Sequence, residues 1–470
     1  MVSRRTVLGV AGGAVVAGAA VAAGEYALKA TRDVEPVVPP SVDGHGRLLW
    51  RNWSGIESAY PAQRAAPAAE DELVAMVKSA PGPIRAVGAG HSFTRLVPTD
   101  GTLVSLDNFS GVSGHDVALL QATVKTGTRL GALGEMLAGV GQEMFAQPDI
   151  NKQALGGALG TGTHGTGALQ PALHGGVISF RMVTAKGDVV QASATESADI
   201  FNAARVGLGA FGIITEVTLQ NRKLSRIRKR TELVPTGEAL DRWPELKKAH
   251  RTVEIYVLPF TGMSAIITSD PTDDPVVPRG EDRENAALLE LKMLRDYCAF
   301  APWLRRWLAG QAMAGEKPVV AVDDGYKLLS NERPVRFNEM EYHLPAEVQA
   351  TAAAEVLAAV EKNRPDVFFP FELRCIAADD AWLSPFYQRA SGSVAVHAYY
   401  QNDYSFLVEL VEPILRRYGG RPHWGKLNSL RARDFAALYP RFRDAQAVRQ
   451  TLDPEGKFMN DYVRRVFVDG

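Results

Sequence analysis

Between residues 54 and 222 the apolar positions switch back and forth between helical and strand spacing. Pro67 and the acids Glu70, Asp71 and Glu72 precede Leu73, Val74 and Val77, which predicts a helix over 67–78. Residues 84–88 read as a short strand running into a glycine turn. Further strands are predicted at 103–106, 118–124, 178–184 and 212–219, with a short helix at 130–137. The texture changes near Lys223. Residues 253–258 alternate like a half-buried strand, with 265–268 as its partner, and the Pro- and Asp-rich stretch 270–284 is a surface loop. Residues 284–308 look helical with an interruption at Pro302. Their Leu288, Leu289, Leu291, Met293, Trp303 and Trp307 either face a membrane or partner, or pack a helical pair on the second domain; packing is the reading adopted. Strands at 337–344, 367–376 and 393–400 and helices at 345–363 and 406–418 follow. This is an α+β pattern with mostly antiparallel pairing.

A chain of 470 residues exceeds what one hydrophobic core usually supports, so at least two domains are expected. Hydrophobic residues at 46% and charged residues at 22% place it among soluble globular proteins. A net charge of -1 without a basic cluster speaks against a nucleic-acid partner. The two cysteines, Cys298 and Cys375, make neither a disulfide framework nor a metal-spaced set, and no metal is expected. At the N-terminus, Ser3-Arg4-Arg5-Thr6-Val7-Leu8 opens a Gly-, Ala- and Val-rich run that ends at Gly24. It resembles a twin-arginine signal, which implies the twin-arginine export machinery as a partner and an exported protein. An uncleaved membrane anchor is the alternative. The expected division is a signal over 1–30, a linker over 31–48, a first domain over 49–222, a second over 223–450, and a C-terminal segment, 451–470, returning to the first.

Two glycine-rich loops carry the first chemical clue. Gly88, Ala89, Gly90, His91, Ser92 and Phe93 follow a strand, so main-chain N–H groups can crowd against an anion such as a pyrophosphate. The second runs from Gln153 to Gly167, with Gly156, Gly157, Gly160, Gly162 and Gly165 interleaved with Thr161, Thr163 and His164. Such a run wraps backbone around a flat polar ligand rather than packing side chains. In the second domain, Glu372 and Arg374 lie two apart on a predicted strand and project from one face, opposite Phe371, Leu373 and Cys375. By itself that pair is either a polar site or a structural ion pair. Parity likewise puts Ala395, His397 and Tyr399 on one face, and an ordinary half-buried histidine is an open reading for His397.

Together the loops resemble the flavin domain of the vanillyl-alcohol oxidase (PCMH-type) flavoproteins, and within that group the aldonolactone and alditol oxidase family. The resemblance extends over nearly all of 50–470. It implies an α+β architecture: a PCMH-type FAD-binding domain and an α+β substrate (cap) domain. It further implies that the first loop embraces the FAD pyrophosphate, with His91 as the site of covalent 8α attachment. The second loop would line the flavin's other side, and Gly212, Ile213 and Ile214 the adenine end. Glu372 and Arg374 match the family's Glu-x-Arg pair, which binds substrate hydroxyls. His423-Trp424-Gly425-Lys426 matches a family signature in which the lysine meets the flavin's N1/C2 edge and the histidine contacts flavin or orients the loop. At His397 alditol-oxidising relatives carry a small hydroxyl residue, so the imidazole fits a cyclic sugar or lactone better than a linear polyol.

The reaction implied is hydride transfer from a CH–OH group of a sugar-like substrate, with oxygen or another electron acceptor completing the cycle. Glu372, Arg374, Lys426 and His397 form the expected catalytic set. Rivals are a dehydrogenase feeding a quinone or cytochrome, an exported sterol or aromatic alcohol oxidase, and a non-enzymatic flavin carrier. The polar pair Glu372/Arg374 argues against an apolar substrate.

Overall fold

The computed structural model describes residues 33–280 and 284–468; the expected export signal lies outside them. The N-terminal unit combines two sheets. One is parallel, in the order Gln63–Ala65, Thr102–Ser105, Ile84–Val87. The other is antiparallel, in the order Val189–Ser193, Val177–Val183, Ile213–Gln220, Gln121–Lys125, Val112–Asp116. The helix Glu70–Ser79 starts on three acids, which suit the positive helix end, and buries Leu73 and Val77 one turn apart.

The second unit is built on an eight-stranded antiparallel sheet. Its order is Val319–Asp324, Arg226–Pro235, Met263–Pro271, Thr252–Leu258, Phe371–Ile376, Ser391–Tyr399, Phe337–Pro345, Arg421–Pro422. Register explains its two faces, because residues directly opposite across strands share a face. Ile255, Leu373, Val394 and Tyr342 form one cross-strand row. They pack with Trp243 of the helix Thr236–Ala249 and with Val356 and Val360 of the helix Gln349–Asn363. The next row is Tyr256, Glu372, Ala395 and Glu341, and it faces the other way. One face is therefore an apolar core, and the other is polar and turned toward the N-terminal unit.

Several predicted elements change shape for identifiable reasons. The strand expected from residue 118 begins at Gln121, because the Asp116 carboxylate accepts from the N–H groups of Ala118 and Leu119 and holds a turn. The strand expected from 367 becomes regular at Phe371, just after Pro370. The helix expected over 406–418 contains a π turn at Leu407–Val411, closed by the Glu412 N–H on the Leu407 carbonyl, before the helix Glu412–Arg417. The second glycine run, expected to pack no side chains, opens as a short helix, Leu155–Gly160, that buries Leu155, Ala158 and Leu159. The strand Arg226–Pro235 was not anticipated, since its charges hide its alternation.

The helices Glu284–Cys298 and Pro302–Met313 do pack on the second unit: Leu291, Ala309 and Met313 join a cluster with Leu258, Phe337 and Phe369. Trp303 and Trp307 lie outside that contact, 73% and 54% exposed. Among the described residues no helix is long and apolar enough to cross a membrane.

The chain ends back on the N-terminal unit. Trp424, Phe435, Phe442 and Phe467 join the core that holds Leu130, Phe180 and Phe211, and Phe442 stacks on Phe467 at 5.6 Å. Arg85, buried at 3% exposure, donates to the carbonyls of Leu96, Leu208 and Phe458. That one guanidinium ties three distant segments together.

Candidate active site at the interface of the two units

Two cavities meet where the polar sheet face approaches the glycine loops. The first, about 170 Å3, lies in the N-terminal unit. Gly88 through Phe93, Gly156, Gly157, Gly160, Thr161, Thr163 and Gly212 through Ile214 line it. The second, about 250 Å3, is lined by Glu372, Arg374, His397 and Tyr256 from the second unit and by His164 from the N-terminal unit. Ile150, Gln153, Thr163, His423 and Lys426 border both. Three expected cofactor residues do not line the first cavity: His164 faces the second, Gly162 faces Pro385 and Val206, and Gly165 abuts the Gln147 carbonyl.

The first cavity has the features of a flavin cradle. Gly90 takes the left-handed conformation at φ 67°, which a side chain would strain. A Cβ at Gly157 would touch nothing within 4 Å, and one at Gly160 only the Leu208 nitrogen at 3.9 Å, so any larger residue there would project into the space. On the shared wall the buried Gln153 Oε1 has no hydrogen-bond partner within the chain, an acceptor that suits a ligand N–H. His91 stacks on Trp53 at 5.1 Å. Burial, helped by the charges of Lys426 and Arg129, pushes its imidazole down to about 4, so the ring is neutral near pH 7.

The second cavity concentrates charge. Arg374 Nη2 meets Glu372 at 2.8 Å, and its Nε donates to Glu254 at 2.9 Å. Burial works against the guanidinium's charge, but Glu372 and Glu254 outweigh it and raise the pKa well above the ordinary arginine value. Arg333 holds Asp149 in the same way: burial acts to raise the Asp149 pKa, and Arg333 and Arg374 together lower it. Lys426 Nζ pairs with Glu339. His397 Nδ1 lies 2.9 Å from the Pro370 carbonyl. A carbonyl only accepts, so Nδ1 carries a proton, and Nε2 lies near Glu339 and Glu372, at 3.7 and 3.9 Å.

Behind these groups, His164, Glu341 and His423 bring their ligand-type atoms within 4.8 Å of one another. Hydrogen bonding accounts for the approach of His164 to Glu341. His164 meets the Gly165 carbonyl through Nδ1 and Glu341 through Nε2, at 2.8 and 2.9 Å. Burial would raise the Glu341 pKa, but His164 holds it well below the carboxylate range. His423 Nδ1 accepts the Gly425 N–H at 3.0 Å. Burial drives the His423 ring down to about 3 against the pull of Glu341.

The structure thus brings Glu372, Arg374, His397, Lys426 and His423 together. Sequence reasoning did not anticipate Gln153, Asp149, Glu254, Tyr256, Arg333, Glu339 or Glu341. Glu339 and Glu341, and likewise Glu254 and Tyr256, lie two apart on predicted strands, which gives each pair a shared face but not its neighbours.

A glycine cradle beside a paired acid–guanidinium–imidazole cluster defines a FAD-dependent oxidoreductase acting on CH–OH groups. Residues 61–193 match the family model described as FAD binding domain, and residues 217–466 the one described as D-arabinono-1,4-lactone oxidase. The chain belongs to the D-arabinono-1,4-lactone oxidase family. It is 34% identical to L-gulono-1,4-lactone dehydrogenase of Mycobacterium tuberculosis, over 89% of this chain and 99% of that one. It is 28% identical to L-gulonolactone oxidase of Bos taurus, over 91% and 100% respectively. Cholesterol oxidase from Brevibacterium sterolicum shares the fold with a TM-score of 0.73 at 14% identity, covering 92% of this chain and 100% of that one.

The neutral His423 ring has a consequence for stability. The unfolded chain protonates it near 6.5, whereas the native state does so only near 3. Between those values the unfolded state binds more protons, so unfolding free energy falls as pH drops from about 6.5 toward 3. Urea midpoints of the holoenzyme from pH 7.5 to 4.5 should decline, and His423→Asn should flatten the decline. An unchanged slope in the variant contradicts the assignment.

Proposed function

We propose that the enzyme oxidises a secondary or primary alcohol carbon of an aldonolactone, alditol or related sugar derivative. The observation that carries this reading is the convergence of Glu372, Arg374, His397 and Lys426 on a cavity that opens into the glycine cradle. Bound FAD supplies the two-electron acceptor for the substrate's hydride.

The chain's own residues do the rest. Arg374, fixed by two carboxylates, donates to substrate oxygens and sets their position. His397, its Nδ1–H anchored on Pro370, offers Nε2 to the hydroxyl proton. The imidazolium so formed lies between Glu339 and Glu372, whose charges stabilise it. Lys426 borders both cavities and supplies positive charge where electron density arrives. Replacing Lys426 with Met should slow anaerobic flavin reduction by about a hundredfold, the usual effect of removing one such stabilising group. A rate within twofold of wild type removes Lys426 from the chemistry.

His91 is proposed as the covalent anchor of the flavin 8α carbon. Its neutral ring has a nitrogen lone pair available for bond formation, and it borders the cradle. Acid precipitation should leave yellow flavin in the wild-type pellet and in the supernatant of His91→Ala. Flavin in the wild-type supernatant defeats the covalent assignment.

Export is proposed from Arg4-Arg5 and the small apolar run behind them. Covalent attachment would keep the cofactor in place where no flavin pool exists. Arg4→Lys with Arg5→Lys should retain the protein in the cytoplasmic fraction; unchanged recovery outside it refutes a twin-arginine route.

A further inference from the structure

The substrate cavity has two unlike ends. One is the charged cluster of Glu372, Arg374, His397 and Lys426. The other carries Leu288, Leu291 and Leu294 of the helix Glu284–Cys298 and Leu308, Ala312 and Met313 of the helix Pro302–Met313, with Glu284, Asn285 and Glu290 also on the cavity lining. A sugar derivative carries hydroxyls on most of its carbons. Each one pressed against those leucine and methionine side chains would lose water without gaining a hydrogen bond from them, at a cost of roughly 1–3 kcal/mol. The apolar end is therefore not built for the sugar. Molecular oxygen is small and needs no such chamber.

The same two helices carry a second unexplained feature on their outer surface. Trp303 and Trp307 lie one turn apart and are 73% and 54% exposed, with Phe300 of the connecting turn at 49% and Tyr297 at 65%. Residues 305, 308, 309 and 312 turn inward while 303 and 307 turn outward, as the 3.6-residue period requires. Exposed aromatic rings at such density suit the interface of a lipid bilayer, where an apolar body and a polar rim are both satisfied. One lobe thus has an apolar chamber inside and an aromatic stripe outside.

We propose that the apolar end of the cavity receives the hydrophobic tail of a quinone drawn from a lipid surface, and that this quinone is the electron acceptor. The proposal rests on the alcohol-oxidising reading above and names the reactant that reading leaves open. The alcohol gives up two electrons and two protons in becoming a carbonyl. The quinone gains two of each in becoming a hydroquinone, leaving the bound FAD oxidised again. Arg374 and Lys426 stand at the polar end as donors to the quinone oxygens once product has left. The tail lies along the leucine and methionine wall, and the aromatic stripe holds the lobe against the membrane from which the quinone comes.

The experiment uses purified holoenzyme with two benzoquinones, one without a tail and one with a decyl tail. Calorimetric titration of the oxidised enzyme should show the tailed quinone binding at least tenfold more tightly. Ala312→Trp, which fills the chamber, should abolish that difference. Trp303→Ser with Trp307→Ser should leave soluble quinone binding unchanged and lose co-sedimentation with phosphatidylcholine–phosphatidylglycerol vesicles. In stopped flow, lactone-reduced enzyme should be reoxidised at least tenfold faster by saturating tailed quinone than by air-saturated buffer. Equal binding of the two quinones by the wild type overturns the proposal, as does faster reoxidation by oxygen. Tight binding of a decyl-substituted lactone, lost in Ala312→Trp, in place of the quinone also overturns it and assigns the chamber to substrate. Failure of any lactone or alditol to reduce the flavin is a separate result, which counts against the alcohol-oxidising reading and leaves the quinone titration interpretable.

Discussion

A sheet face carrying Glu254, Glu339, Glu341, Glu372 and Arg374 is buried against another unit, and the rest of the molecule conforms to that fact. Charges removed from water are tolerated only when paired, and loss of one partner from a buried pair costs about 3–5 kcal/mol. Each charge here has its partner: Arg374 with Glu372 and Glu254, Lys426 with Glu339, His164 with Glu341. The last pair joins the two units directly, since His164 comes from the second glycine loop. The pairing adds little net stability, but it fixes where the sheet sits over the cradle.

That arrangement explains which parts of the site could be read from the chain alone. The Glu372/Arg374 pair was legible because period-two spacing on a strand fixes the face without knowledge of the neighbours. The glycine loops were legible because so much glycine has few other uses. Glu254 and Tyr256 were not, because their meeting with Arg374 depends on strand Thr252–Leu258 pairing with Phe371–Ile376 in a particular register. Register is a tertiary property, set by hydrophobic rows that are visible only once strands are adjacent. Asp149 and Arg333 lie on irregular segments 184 residues apart and had no periodic signal at all.

Fold elements were lost where polar chemistry masks a regular backbone. The charges of Arg226–Pro235 mask its alternation, yet it lies between two neighbours, pairing through Ile227–Pro235 on one side and Arg226–Thr231 on the other. The opposite error occurred at Leu155–Gly160, where glycine content suggested irregular backbone. Leu155, Ala158 and Leu159 fall on one side of a helical turn, and their burial outweighs the low helix propensity of the glycines between them.

Arg85 has a further consequence, for the order of events during synthesis. Its guanidinium spans carbonyls at residues 96, 208 and 458, and the first two flank the loops of the cradle. Domains usually fold as they leave the ribosome, N-terminal part first. Here the third carbonyl lies 373 residues beyond Arg85, so the cationic side chain sits in a half-made pocket until that later segment has been made and has docked.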